Sequence, residues 1–543
     1  MSGAAAIVGL GAAVLLLAPL LPEPLLRRDL WAFEPLRELP LALRAGLAAA
    51  LAATLHPRVR VGFARAVDAL AERTAWRRAA VIGAVPLLLG LFSVFRQRNL
   101  RLGDGAILAL LIEQRVHLEG HLVGYDEPLE LYLHSLAYRG LHAAFEWDVM
   151  ASYALLSSLA GVAFALAMVV LWRDAREGTP VGRAVVVLLS LATPSVQLFF
   201  GYVENYTLVA LASLVYAIAG LRSLERGLSP LWPALALGVA ISLHVLAGWL
   251  GPSLLYVWWR HARARAAWGR IGLLAGMGAT TLLPIAATIA WLTAVGVPIA
   301  ALGETHLAAL KFIFLVEPDA PYFIYPAWSA AHWRDIANQL ALTSLAPLLV
   351  IAALVPAARS QGAQLRGDLR LHFLALGAGF LHLFGISWNA ENGAYNDWDL
   401  FALAGFFDAM LAARLVQRLL VDDAGRVALA LPAVGLGFAL AAGFVWANAT
   451  RTLDLPSGHA SAHLRLGAAH GEAGRTALAL GEFEEALRIA PDEPEVIYAL
   501  GLRLWNTGDR ERGEPLLRRF LALRPDDARA GELRRLLGEQ ERP

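Results

Sequence analysis

Long apolar runs, separated by short arginine-rich or acidic connections, fill the chain from residue 4 to residue 447. A helix that crosses a bilayer needs roughly 20 consecutive, mostly apolar residues. About thirteen stretches approach that pattern: 4–21, 40–55, 79–95, 149–171, 184–200, 205–221, 231–246, 248–260, 271–297, 338–357, 371–388, 399–419 and 427–447. Gly248 and the Gly251-Pro252 step predict two short segments with a break over 231–260, not two full crossings. The first run, Ala4 to Leu21, lacks a basic leader and a small-residue cleavage site, so it reads as a retained span and not a signal peptide.

Composition supports the pattern. Of 543 residues, 58% are hydrophobic and only 17% charged, whereas soluble domains carry about 25% charged residues. The predicted fold class is all-α. A polytopic helical membrane domain occupies residues 1–450, and a short helical repeat domain occupies 457–543. The net charge of +1 gives no reason to expect a nucleic-acid partner. The absence of cysteine excludes disulfides, thiol chemistry and cysteine-ligated metal.

Arginine placement predicts the sides. Arginines gather at 58–78, 173–183, 222–226, 260–270, 359–370 and 414–426, and these clusters alternate with the thirteen stretches. The positive-inside rule makes them cytoplasmic. The N-terminus is then inside, in what reads as a bacterial cytoplasmic membrane. The 96–148 loop, Tyr202-Val-Glu-Asn205, the 298–337 loop, Asn389 to Asp399 and the C-terminal domain are then outside.

From about Ser457 the chain turns Arg/Glu-rich. Pro491 and Pro525 stand 34 residues apart, and the register holds between them: Leu466-Gly467 matches Leu500-Gly501, Gly474 matches Gly508, Phe483 matches Leu517 and Ala486 matches Phe520. This resembles the tetratricopeptide repeat, with small residues where paired helices cross and proline closing each unit. Such arrays bind proteins or peptides. The competing reading is a generic helical hairpin.

Candidate chemistry lies in three outer segments. The first is 96–148, the predicted outer catalytic loop, with Asp104, Asp126, Glu127, Glu130 and His134. Asp104 precedes an amphipathic segment, Ala106 to Leu118, and one reading makes it that helix's N-cap. Asp126 or Glu127 can cap the helix that opens at Pro128. Capping accounts for one acid per helix and not for Glu130 and His134, four apart on the same short helix. The second segment is Phe200-Gly-Tyr-Val-Glu-Asn-Tyr206, where Glu204 and Asn205 stand between two apolar runs; Glu204 serves a site there or pairs with an outer arginine. The third is Trp388 to Asp399, where Asp397 and Asp399 flank Trp398. An Asp-x-Asp pair offers hard oxygen ligands to a divalent cation; alternatively Asp399 caps the next helix and the tryptophan belongs to an interfacial belt. Trp398 is also a candidate sugar contact. His306 and Lys311 read as solvated loop charge or as phosphate contacts. The spans' histidines, His244, His372 and His382, read as helix-to-helix bonding groups.

An acidic outer loop after an early span, about a dozen spans, and terminal repeats on the same side together resemble the GT-C-type membrane glycosyltransferases. The likeness is strongest to the transmembrane-and-tetratricopeptide protein O-mannosyltransferases and their bacterial relatives. Its motifs are Leu102-Gly-Asp-Gly105, Asp126-Glu-Pro128 and Asp397-Trp-Asp399. The resemblance implies a polyprenyl-phosphate-linked sugar donor, a glycan or protein acceptor, and a catalytic carboxylate at the place of Asp104. Glu127 is the second catalytic candidate. Asp126, Glu130, His134, Glu204, Asn205 and Trp398 are expected to bind substrate, and Asp397 and Asp399 a divalent cation. The rival readings are an O-antigen ligase or polymerase-like enzyme and a non-enzymatic scaffold acting through its repeats. A transporter would need mid-bilayer polar residues and an inverted repeat, neither of which the sequence displays clearly.

Overall fold

The computed structural model describes residues 2–72, 74–98, 100, 105, 108–109, 111–113, 116, 120–124, 126–173, 178–297, 312–315, 325–390, 394–395, 397–450, 460–472, 474–525, 527 and 529–538. These are helical or irregular, and among them the only β pairing is an isolated bridge between Phe312 and Trp388. The chain divides into two units: residues 1–98 with 120–451, and residues 99–119 with 452–543.

In the first unit a helix lies at each of the thirteen predicted stretches. Among the described residues, seven helices are long and apolar enough to cross a membrane. They include α1 (Ser2–Leu17, extended by a 3-10 turn to Leu20). The others fall later in the chain. Between α1 and the second of them lie α2 (Leu41–Ala53), α3 (Pro57–Glu72), α4 (Thr74–Val94) and α5 (Pro128–Phe145). Then come α6 (Val149–Arg173), α7 (Pro180–Leu191), α8 (Thr207–Arg226), α9 (Leu231–Leu243), α10 (Gly251–Ala262) and α11 (Ala267–Ala294). The unit closes with α12 (Ala330–Ser360), α13 (Leu369–Ser387), α14 (Ala402–Leu419) and α15 (Asp423–Thr450). Besides α1, the seven are α6, α8, α11, α12, α13 and α15.

The remaining stretches fall short for local reasons. Over 184–200, α7 stops at Leu191 because Pro194 disfavours helix at the residue before it. The Thr193 side chain then accepts from the Ser195 amide at 3.3 Å and restarts the chain as a 3-10 turn, Pro194–Phe199. Over 231–260 there is a break, but it falls at His244 and not at Gly248 or the Gly251-Pro252 step: its extended backbone (φ −150°, ψ 129°) separates α9 from a 3-10 turn, Val245–Leu250, that leads into α10. Over 399–419, α14 carries Asp408, Arg414 and Arg418. Each is answered by another helix or its cap: His382 Nε2 lies 2.8 Å from Asp408 Oδ2, and Arg414 Nη2 lies 2.7 Å from Asp368 Oδ2, with Arg418 Nε at 3.4 Å. Asp368 also caps α13 at the Leu371 amide. Helix α3 has no buried residue, as a surface helix between two apolar ones requires.

The second unit is built of helical hairpins: α16 (Ala460–Glu472) with α17 (Thr476–Ile489), α18 (Pro494–Asn506) with α19 (Arg510–Leu523), then α20 (Ala530–Leu536). Positions 34 apart do equivalent work. A Cβ on Gly467 would meet Phe483 at 2.5 Å, and one on Gly501 would meet Leu517 at 3.0 Å, so both glycines mark the helix crossing. Gly474 and Gly508 both turn the hairpin with positive φ, 72° and 93°. Between residues 99 and 119, Leu108, Ile112 and Val116 are buried at helical spacing.

Candidate active site

The turn between α7 and α8 is the centre of the site. Gly201 opens it with φ 77°, a conformation that favours glycine, and a Cβ there would sit 2.9 Å from Ala154 Cβ. Gln97, beyond the end of α4, ties down the turn: its amide donates to Phe200 O at 2.7 Å, and its buried side chain accepts from the Val203 amide at 2.9 Å. The next residue continues the tie, with Arg98 N donating to Asn448 O at 2.9 Å. The chain entering the 96–148 loop is therefore fixed by main-chain bonds to two other segments.

Carboxylates from three segments converge on this turn. Burial raises the phenol of Tyr206 well above its ordinary range, and the nearby carboxylates of Asp399, Glu204, Asp126 and Glu127 push it the same way. Tyr202 is raised by burial and by Asp399, Glu204 and Asp397. Exposure divides the group. Glu204, Asp397 and Asp399 are buried, while Asp126 and Glu127 are half-buried.

The approach to α5 explains the half-buried pair. Pro128 takes the first helical position, as expected, but the Glu127 side chain makes no cap bond. The capping reading therefore does not explain Glu127. Its carboxylate instead lies 3.5 Å from Asn205 Nδ2, and Asn205 Oδ1 accepts from Tyr153 OH at 3.0 Å. Asp126 is held through its backbone, its carbonyl accepting from Val245 N at 2.8 Å in the break after α9. That break brings His244 to the site, with its ring 4.9 Å from that of Tyr206. From sequence alone His244 reads as a helix-to-helix bonding group.

Three expected substrate contacts have other roles. Glu130 is fully buried and caps α8, accepting from Leu208 N at 2.7 Å and Val209 N at 2.9 Å. Burial pushes its carboxyl up to about 7 while those amides hold it down. His134 is buried and stacked on Tyr153, ring centroids 3.9 Å apart and planes 9° apart. Burial holds its imidazole down at about 3. Trp398 is fully buried; its Nε1 donates to Tyr202 OH at 2.7 Å and its ring packs on Tyr202 and Phe444. None of the three presents a surface to a sugar. They support the turn from behind.

The expected cation pair also has limits. Asp397 makes no cap bond, and Asp399 Oδ1 accepts from the adjacent Leu400 amide at 3.0 Å. Among the described residues no three Asp, Glu or His groups converge closely enough to hold a metal ion, and a hard cation takes six or more oxygens. Asp104, His306 and Lys311 lie outside the described residues.

Tyr153, Tyr202, Tyr206 and Gln97 escaped the sequence reading. The only local signal was the density of tyrosines around Glu204.

No protein-family model and no curated protein matches the chain. Two solved structures are similar to it: ArnT from Cupriavidus metallidurans bound to undecaprenyl phosphate, and the same protein in the apo state. Both are 14% identical with a TM-score of 0.46; the first covers 76% of this chain and 80% of that chain, the second 73% and 80%.

Proposed function

We propose that the chain is a membrane glycosyltransferase that moves a sugar from a polyprenyl-phosphate-linked donor to an acceptor hydroxyl at the outer face of the membrane. The observation that carries this reading is the meeting of three acidic segments at one turn: the Glu127 carboxylate lies 3.5 Å from Asn205, next to Glu204, and Trp398, between Asp397 and Asp399, bonds Tyr202 of the same turn. The lipid-linked donor comes from the sequence resemblance.

In this reading Asp126 or Glu127, the half-buried carboxylates, takes the proton of the acceptor hydroxyl as general base. The acceptor oxygen forms a bond to the anomeric carbon as the bond from that carbon to the phosphate oxygen breaks, through an oxocarbenium-like state. The electron pair leaves with polyprenyl phosphate. In this reading Arg96 and Arg98, exposed on either side of buried Gln97, meet that phosphate charge. Asp104, in the same loop, is the base implied by the resemblance and belongs in the same test. The reaction is written without a cation.

The C-terminal hairpins, with their 34-residue equivalence, are proposed to be tetratricopeptide repeats that bind a protein or peptide, on the outer side by the arginine rule.

The test is transfer of labelled sugar from a panel of polyprenyl-phosphate sugars by the purified full-length protein, with Asp104→Asn, Asp126→Asn and Glu127→Gln beside it. Loss of about 10²- to 10⁴-fold in one of the three, at unchanged melting temperature, is expected for the base. Full transfer by all three sinks the general-base reading. Absence of transfer from every donor, with a phenotype only on removing residues after Ser457, favours the scaffold.

A further inference from the structure

Residues 23–38 join α1 to α2 and hold none of the candidate chemistry read from the sequence. They fold as a short helix, Glu23–Asp29, and a 3-10 helix, Trp31–Glu38. Three bonds fasten them to the first turns of α12. Trp31 Nε1 donates to Asp335 Oδ1 at 2.9 Å, the Ala32 amide donates to Asn338 Oδ1 at 3.1 Å, and Arg334 Nη1 donates to Asp29 Oδ1 at 3.0 Å. On another side Leu36 packs against α15, where Gly443 leaves no room for a Cβ. From this fixed base two buried side chains reach one residue of the acidic segment. Tyr395 donates its hydroxyl to Glu34 Oε2 at 2.6 Å, and its ring meets that of Trp31 edge-on, with centroids 5.6 Å apart. Tyr395 stands two residues before Asp397.

We infer that Glu34 is a positioning residue of the candidate active site, acting through Tyr395 on the Asp397-Trp-Asp399 segment. A buried carboxylate costs free energy unless a donor meets it, and a phenol hydroxyl does so with the short bond of a charge-assisted pair. The segment from Trp388 to Asp399 is then held at three places: at its start by the bridge from Phe312 to Trp388, near its end by Trp398 on Tyr202, and between them by Tyr395 on Glu34. Two residues of chain span at most about 7 Å, so a fixed Tyr395 limits where Asp397 can stand. Glu34 does not touch the reacting atoms in this account. It sets the place of groups that do. The effect on rate rests on the proposed transfer reaction, whereas the effect on the segment does not.

The experiment compares the full-length protein with Glu34→Ala, Glu34→Gln, Tyr395→Phe and the double variant Glu34→Ala with Tyr395→Phe. Hydrogen-exchange mass spectrometry follows residues 394–401, and transfer of labelled sugar gives kcat and the KM for the donor. Glu34→Ala and Tyr395→Phe should each speed exchange over 394–401 by about 10- to 100-fold, the factor that a hydrogen bond to a charged group supports, with exchange in α6 and α8 unchanged. They should lower kcat by about 10- to 100-fold at constant KM. Glu34→Gln keeps an acceptor oxygen and should restore most of both. The double variant should be no worse than either single one, because all three lose the same bond. Should Glu34→Ala fail to fold, Tyr395→Phe, which removes one hydroxyl, takes its place. Unchanged exchange overturns the proposal, and so does faster exchange with unchanged kcat. Should the unsubstituted protein transfer from no donor, the reaction reading fails and exchange alone decides this one: faster exchange over 394–401 upholds the tie, and unchanged exchange overturns it.

Discussion

The carboxylate of Glu130 accepts the backbone amide of Val209 at 2.9 Å, across 79 positions of sequence. A helix N-terminus leaves its first amides without intrahelical partners, and here the acceptor comes from another helix. Glu130 thereby joins α5 to α8 just where the Glu204 turn ends. Glu130→Ala removes the acceptor from two buried amides and should cost on the order of 2–4 kcal/mol. Glu130→Gln keeps one carbonyl acceptor and should cost less. Thermal unfolding of both variants in detergent checks the order; equal stability of all three proteins would deny the cap any weight.

Trp398 and Tyr202 form the second support. Trp398→Phe leaves the Tyr202 hydroxyl without its donor and should cost about 1–3 kcal/mol. Because the tryptophan is fully buried behind the turn, the variant should lower kcat more than it raises KM for the donor. A large rise in KM at constant kcat would instead mean that the ring touches the sugar.

His134 makes stability depend on pH. Its imidazole sits at about 3 in the folded protein against an ordinary 6.5. Between those values the unfolded chain holds a proton that the folded chain does not, so stability rises with pH through pH 3–6.5, by at most about 1.4 kcal/mol per unit. Glu130 opposes it: with a carboxyl raised to about 7 from 4.5, the folded state holds the extra proton and stability falls with rising pH through pH 4.5–7. The two slopes cancel between pH 4.5 and 6.5, leaving the loss from His134 below pH 4.5. Replacing His134 by Gln should remove that acid loss. Melting temperatures from pH 3 to 8 test it, and parallel curves for the two proteins would refute the assignment.

Two glycines in the C-terminal hairpins make a contrasting pair. A Cβ on Gly513 would meet backbone atoms of Gly501 and Trp505 at 2.9 Å, which have no room to move, whereas one on Gly481, inside α17, meets nothing within 4 Å. Gly513→Ala should destabilise by about 1–3 kcal/mol, and Gly481→Ala should stabilise by about 0.5–1 kcal/mol. Chemical unfolding of the full chain, followed by a probe in residues 460–538, reads both signs.

Local patterns made much of this legible. The helix at each apolar stretch, a break within 231–260, Pro128 at the start of α5 and the 34-residue register all rest on patterns along the sequence. The carboxylates Asp126, Glu127, Glu204 and Asp399 stood out because acids at the ends of apolar runs are conspicuous. Their convergence was not readable, since it depends on Gln97, Val245 and Tyr206 meeting from distant segments. For the same reason the capping role of Glu130 looked like a substrate contact. Asp408 is a different case. A carboxylate inside the apolar run 399–419 signals a partner on another element, but which one is set by tertiary packing: it is His382, 2.8 Å away.

The bonds that anchor the site are Gln97 to Phe200, Arg98 to Asn448 and Val245 to Asp126, and each joins main-chain atoms on both sides. Peptide groups are the same whatever side chain they carry. A substitution at Phe200 or Val245 leaves the hydrogen bond itself in place, with proline at Val245 the exception because it removes the donor. At those two positions the tie that frames the site is independent of the side chain, whereas Gln97 also holds the turn through its own amide oxygen.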